Sequence, residues 1–278
     1  MKPFHLLLAS AVILSSCATG TVLESPATDG FELDPDESFL DAAEDAGFQT
    51  LEEDDYHIHS GSDDDFIYII AEVRSRAMQQ RIEDYGFQIA LETDDNWLGL
   101  TYPMGKVEAL RDFQDAAVGY ILDPSWEQMP DNQSTMDQAE EDFRNNALLS
   151  QDSEETPAQI SLSELQAQNV YTEFQEIDGF YTIAYRIPLQ AARSQQFSPD
   201  VESGESISVS VSINPPSAED LTGEELTGAG SDMGGGGNMM GGGQQQQQDQ
   251  QQEEQSMADR VDRVLGSDYS NSFQIQLP

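Results

Sequence analysis

The stretch Asp63–Pro103, DDDFIYIIAEVRSRAMQQRIEDYGFQIALETDDNWLGLTYP, constrains the fold more than any other part of the chain. Phe66 to Val73 is an almost unbroken apolar run, rich in β-branched and aromatic residues. It has the length of a strand, and a run without alternation fits a strand covered on both faces. Ser75 then opens a short helical pattern with Met78, Ile82 and Tyr85 on one face. Gly86 stands where a left-handed residue ends a helix at least steric cost. Phe87, Ile89 and Leu91 alternate with Gln88 and Ala90 at strand period. Thr93 to Asn96 is a turn cluster. Trp97 to Tyr102 returns as a strand that Pro103 stops or marks as an edge.

The rest of the chain supplies partners for these strands. Tyr56 and Ile58 alternate with His57 and His59, a short strand. Tyr181, Ile183, Tyr185, Ile187 and Leu189 share one face of Gly179–Leu189. Ile207, Val209, Val211 and Ile213 alternate with serines, the pattern of a strand buried on one side. Phe273, Ile275 and Leu277 alternate with glutamines. Phe39, Leu40, Ala43 and Phe48 fit a first strand or a helical turn. Val107, Leu110 and Phe113 suggest a short helix, and Met136 to Leu149 a longer one. Without βαβ spacing, this reads as a mainly β protein: an antiparallel β-sandwich with short helical insertions.

The resulting division of the chain is a lipoprotein signal peptide over 1–16, a flexible tether over 17–35 and a sandwich domain over 36–216. The domain carries a helical insertion near 105–150. A Gly/Gln-rich segment over 217–271 buries too little apolar surface to offset the entropy of ordering and is expected to be disordered. Residues 272–278 are the closing strand of the sandwich.

Lys2 gives the leader a positive start, Leu6 to Leu14 an apolar centre too short to span a bilayer, and Leu14-Ser15-Ser16-Cys17 matches the bacterial lipobox. Cys17 is the only cysteine, so no intramolecular disulfide can form. The match implies cleavage before Cys17 and lipid on it. The protein is then membrane-held through that lipid, and Ala18 in place of Asp leans toward the outer membrane. Beyond residue 16 the charge is 10 basic minus 53 acidic residues, or −43, since Lys2 is the one charged residue removed from the total of −42. Such a balance excludes the positive footprint that nucleic acids require. Acids spread along the chain with almost no lysine fit a surface adapted to high salt.

Few residues stand out as chemistry. His57 and His59 place two imidazoles on one strand face, a geometry able to ligate a transition metal. The alternative is a pair of solvent-facing histidines on an edge strand. Asp63-Asp64-Asp65 fits a contribution to a calcium site or a solvated hairpin turn. Trp97 and Trp126 are candidate ligand-stacking platforms, with a packing role as the alternative for Trp126. Gly-x-Ser-x-Gly and His-Glu-x-x-His do not occur, and the glycine runs lack the Lys-Ser/Thr of a phosphate loop. The expectation is a non-catalytic binding module without cofactor, taking a glycan or an envelope protein as partner. The alternatives are an assembly role through the Gly/Gln-rich segment, or a hydrolase.

Phe66-Ile67-Tyr68-Ile69, Met78-Gln79, Gly86-Phe87, Leu98-Gly99-Leu100-Thr101-Tyr102-Pro103 and Tyr185-Arg186-Ile187-Pro188-Leu189 carry a resemblance. The run from Tyr56 to Lys106 resembles an uncharacterised group of Bacteroidetes-type lipoproteins. The strand patterns are similar to the sandwich of carbohydrate-binding modules of family 9, also called DOMON-like. This resemblance implies a sandwich fold. The chain lacks the Asp-Gly-x-x-x-x-Glu-Trp start common in that module, and no ligand residue is carried over.

Overall fold

In the serine-alternating segment, Ile207, Val209, Val211 and Ile213 are fully buried and Ser208 and Ser210 are half-buried. One-sided burial of this kind requires a second layer, and the molecule supplies it as a second sheet. The structure is a computed structural model. It describes residues 21–28, 31, 33–34, 38–111, 113, 116–123, 125–153, 156–191, 197–202, 204–215 and 269–278.

The chain begins with β1 (Val22–Glu24), α1 (Phe39–Asp45), β2 (Gln49–Glu52), β3 (Tyr56–Ser62) and β4 (Phe66–Val73). It continues through α2 (Arg76–Tyr85), β5 (Gln88–Glu92) and β6 (Trp97–Thr101). Three helices follow: α3 (Lys106–Ala109), α4 (Ala116–Leu122) and α5 (Gln133–Asn145), with a 3-10 turn at Trp126–Gln128. Next come β7 (Asn146–Ser150), β8 (Ala158–Ser161), α6 (Leu162–Ala167), β9 (Tyr171–Ile177) and β10 (Phe180–Pro188). β11 (Ser206–Ile213) and β12 (Tyr269–Gln276) complete it. The first sheet has the order β1-β12-β11-β5-β6-β7-β8 and the second β2-β3-β4-β10-β9. All pairings between named strands are antiparallel except β1 with β12.

The main core lies between the sheets. Ile67, Ile69 and Ala71 of β4 and Ile183, Tyr185 and Ile187 of β10 meet Ile89, Leu100, Val209 and Ile275 of the opposite sheet. Tyr185 ties the layers by donating its hydroxyl to the Tyr102 carbonyl at 2.7 Å, just beyond β6. β4 is buried on both faces as its apolar run predicts, because α1 lays Phe39 and Ala43 over Tyr68 and Ile70. A third cluster, built by α3, α4 and α5, packs against Leu148 of β7 on the side away from the main core. Ser75 caps α2 by accepting from Met78 N, and Gly86 ends it at φ +83°.

Several expectations need correction. The tether over 17–35 is not free throughout: β1 lies on β12, Ser25 N donates to Gln276 O at 2.9 Å and Thr28 N to Ser62 O at 2.8 Å. A sheet edge exposes unpaired backbone groups, and this segment, with Leu23 turned inward, satisfies them. The helix expected over Met136–Leu149 stops at Asn145, and Ala147 and Leu149 face the main core from β7. The closing strand starts at Tyr269, earlier than 272, and Tyr269 packs edge-on against Tyr56 with ring centroids 5.8 Å apart. Of the two readings of Asp63–Asp65 the hairpin turn holds, the Asp63 carboxylate accepting from Asp65 N, Phe66 N and the Tyr68 hydroxyl at 2.7–2.8 Å. The signal peptide, Cys17 and residues 217–268 of the Gly/Gln-rich segment lie outside the described residues.

Candidate functional site

The outer face of the seven-stranded sheet is assembled by register. Gln274, Ser208, Glu92 and Trp97 form one row across β12, β11, β5 and β6. Ser272, Ser210, Ala90, Gly99 and Ser150 form the next, reaching β7. These side chains are small or polar; Ser272 and Gln274 are exposed and Ser208 and Ser210 half-buried, while Ala90, Gly99 and Ser150 are buried, and one large ring lies on the face. That ring is half-buried Trp97, and a Cβ on Gly99 would collide with its six-membered ring and come within 3.1 Å of Ser150 Oγ. Glycine is needed here because the indole lies across the backbone of β6.

The turn before Trp97 is fixed by Thr93, whose Oγ1 accepts from Asn96 N at 3.1 Å. Beside it opens a cavity of about 790 Å³ lined by Glu92, Asp94, Asp95, Asp200, Glu202 and Glu205 together with Ser206, Ser208 and Gln274. Aromatic surface beside hydroxyl, amide and carboxylate acceptors is what a polar, ring-shaped ligand needs.

Trp126 is placed elsewhere. It sits in the helical layer with its indole against Gly119, and its carbonyl accepts from Asn132 Nδ2 at 2.9 Å. Neither tryptophan lines the cleft beside the Thr93 turn. The structure does not bring the two expected platforms together.

His57 and His59 lie on β3, which β2 covers as the true edge. They are half-buried and face outward from the five-stranded sheet, with Ile58 between them in the core. Glu72 of β4 pairs directly opposite His57. Its Oε2 lies 3.4 Å from His57 Nδ1 and 3.9 Å from His59 Nε2. Arg74 holds the carboxylate through Nε to Oε1 at 2.9 Å and Nη2 to Oε2 at 2.8 Å. Thr50 Oγ1 and His59 Nδ1 are 3.0 Å apart. Burial pushes the His59 imidazolium below the usual histidine range, against the opposing pull of Glu72. The composition gave no sign of Glu72 or Arg74 as part of this cluster. The hairpin turn at Asp63–Asp65, which fixes the register of β3 against β4, was the available signal.

A third group of charges joins the helices. Lys106 Nζ lies 2.8 Å from Glu140 Oε1 and 3.8 Å from Glu83 Oε2. Glu83 also accepts from the Tyr181 hydroxyl, and Asp84 from the Tyr120 hydroxyl at 2.8 Å. Burial holds the Asp84 carboxyl above its ordinary range. Every polar member has a partner inside the group, so it reads as a brace between α2, α3, α4 and α5. No helix among the described residues is long and apolar enough to cross a membrane.

No family model matches the chain, and no curated protein matches it. Among solved structures it is similar to a carbohydrate-binding module of family 9 from Caldicellulosiruptor kristjanssonii in complex with glucose. The identity is 11%, the match covers 72% of this chain and 80% of that one, and the TM-score is 0.30. The cellotriose complex from the same organism matches at 12% identity over 70% and 74% of the chains, with TM-score 0.30. A Bacteroides uniformis protein named for a supposed carbohydrate-binding role matches at 10% identity over 70% and 84%, with TM-score 0.38. Likeness at this level carries no argument about ligand.

Proposed function

We propose that this chain is a non-catalytic binding module, held at the outer membrane by lipid on Cys17, that takes a neutral glycan on the outer face of its seven-stranded sheet. The observation that carries this reading is half-buried Trp97 laid over Gly99, on a face shared with serines 208 and 210 and beside the acidic cleft. A sugar ring presents C–H groups to an aromatic face and hydroxyls to small polar side chains, and this surface offers both. The carboxylates around the cleft accept hydroxyl hydrogens and repel anionic polymers, which restricts the class to uncharged glycans. The lipobox supports the anchor, since several acyl chains on one residue give stable membrane attachment.

Affinity electrophoresis through neutral polysaccharides, run on the wild-type chain, Trp97→Ala and Trp126→Ala, tests the reading. Retardation by at least one glycan that Trp97→Ala abolishes and Trp126→Ala preserves is the expected outcome. Wild-type protein that no glycan retards, or retardation indifferent to Trp97→Ala, sinks it. Release of the protein from membranes by Cys17→Ser tests the anchor separately.

A further inference from the structure

The outer face of the five-stranded sheet, on the far side of the sandwich from Trp97, holds a cluster that glycan binding does not use. We propose that His57, His59 and Glu72 form a site for one divalent transition-metal ion of the zinc class, with one coordination position left to water.

The geometry carries this. One ligand atom from each residue lies within 4.8 Å of both others, and Glu72 Oε2 is the shared corner. A four-coordinate zinc with ligand bonds of about 2.0–2.1 Å sets its ligand atoms about 3.4 Å apart. The Glu72–His57 separation is 3.4 Å and the Glu72–His59 separation is 3.9 Å. The two histidine nitrogens lie within 4.8 Å of one another, so the ion has to draw the imidazoles together.

Hydrogen bonding leaves the cluster incomplete as it stands. His59 Nε2 is buried and has no hydrogen-bond partner. If Nδ1 carries the proton, it donates to Thr50 Oγ1, and the Nε2 lone pair then faces a carboxylate oxygen. If Nε2 carries it, the Glu72 oxygen at 3.9 Å is too far to accept. Either tautomer therefore leaves a buried nitrogen unsatisfied, which ordinarily costs stability. A cation between the two imidazoles and Oε2 resolves this, because it accepts electron pairs from all three. With Nδ1–H given to Thr50, Nε2 is the free donor atom, the arrangement that fixes a ligating histidine.

The surroundings suit a preformed site. The Glu72 side chain is 6% exposed and its carboxylate is fixed by the Arg74 fork. Arg74 takes Oε1 through Nε and shares only Oε2, so Oε2 keeps a second lone pair for the metal. Every residue of β3 pairs with β4, so the ligand spacing belongs to the sheet and not to a loop. The histidine side chains are 16% and 17% exposed, which admits water to the open position. Two imidazoles and one carboxylate select zinc, cobalt or nickel over calcium and magnesium, which prefer oxygen ligands.

The test uses the full chain, freed of metal with a chelator and kept in millimolar magnesium and calcium to occupy surface carboxylates. Zinc is titrated against a chromophoric competitor, and cobalt is added for its visible spectrum. One equivalent of zinc is expected to bind, with a cobalt absorption band of four- or five-coordinate character. His57→Ala, His59→Ala and Glu72→Gln are expected to lose the equivalent, and Thr50→Val to weaken it about tenfold. Should the variants unfold, diethylpyrocarbonate modification of His57 and His59 in the wild-type chain gives the same answer, since zinc must protect both from acylation. Absence of a stoichiometric equivalent, one that survives His57→Ala and His59→Ala, or modification unaffected by zinc overturns the proposal. Trp97→Ala leaves zinc binding unchanged, so the glycan reading and this one fail independently.

Discussion

Replacing Tyr185 with phenylalanine isolates the polar link between the two sheets. The side chain is fully buried, and its hydroxyl donates to Tyr102 O at 2.7 Å with Phe87 O at 3.1 Å. Phe87 O keeps a donor in Tyr102 N at 2.9 Å. The loss therefore falls on the Tyr102 carbonyl, which is left in an apolar interior without its hydroxyl. An orphaned buried acceptor costs about 1–3 kcal/mol, and the ring itself stays in place, so no large cavity adds to it. The central expectation is about 2 kcal/mol. With a urea slope of about 2–3 kcal/mol/M for a domain of this size, the midpoint should fall by about 0.8 M at unchanged slope. Burial holds the Tyr185 phenol well above its ordinary range, so it stays protonated throughout such an experiment. Urea unfolding followed by far-ultraviolet circular dichroism reads the shift. A midpoint within about 0.2 M of wild type would show that the Tyr102 carbonyl finds water or another donor, and that the sheets do not depend on this bond.

Two further outcomes follow from the geometry. Gly86→Ala puts a side chain on a residue at φ +83° and ψ 173°, with Cβ 2.6 Å from Pro103 O. Backbone strain and overpacking of about 1–3 kcal/mol each should lower the melting temperature by well over 5 °C in calorimetry, and an unchanged transition would contradict the packing at the α2–β5 corner. Asp84 has a folded pKa raised by burial, so its protonated form favours the fold. Its contribution is full below the unfolded value near 3.8 and is lost as pH rises through the folded value. Asp84→Asn should be neutral or stabilising at pH 7. The stability of wild type relative to that variant should rise as pH falls toward 3.8, which paired urea titrations measure; a difference that falls instead refutes the assignment.

The strands were legible where alternation or an unbroken apolar run leaves one reading, as in Ile207–Ile213, Tyr181–Leu189 and Phe66–Val73. β1 was not, because three residues carry no period and its order derives from the edge of β12. β7 reads as helix in the sequence because Ala147 continues the spacing set by Met136, Ala139 and Phe143. Among candidate residues, Trp97 and the two histidines were visible as residue types, but what surrounds them was not. Glu72 disappeared inside an apolar run read as covered on both faces. The turn at Asp63–Asp65 holds the missing information: a hairpin folded there sets Ser62 against Ile67 and, ten backbone steps further out in total, His57 against Glu72. Reading a turn as a mirror, with every residue assigned its reflection, would have completed the triad. Arg74 and Thr50 would still have been out of reach, since their contacts depend on side-chain direction.

Lys106 leaves a practical mark on the whole molecule. Lys2 and Lys106 are the only lysines in the chain, and Lys106 is 13% exposed between two carboxylates. Apart from Lys2, a reagent that seeks primary amines finds no open lysine side chain on the folded domain. Succinimidyl dyes, aldehyde fixatives and amine-to-amine cross-linkers should pass over it, and trypsin has only arginines to cut in native protein. Binding partners of this protein would go unseen in any survey built on lysine chemistry, whereas carbodiimide coupling would meet a dense field of acids.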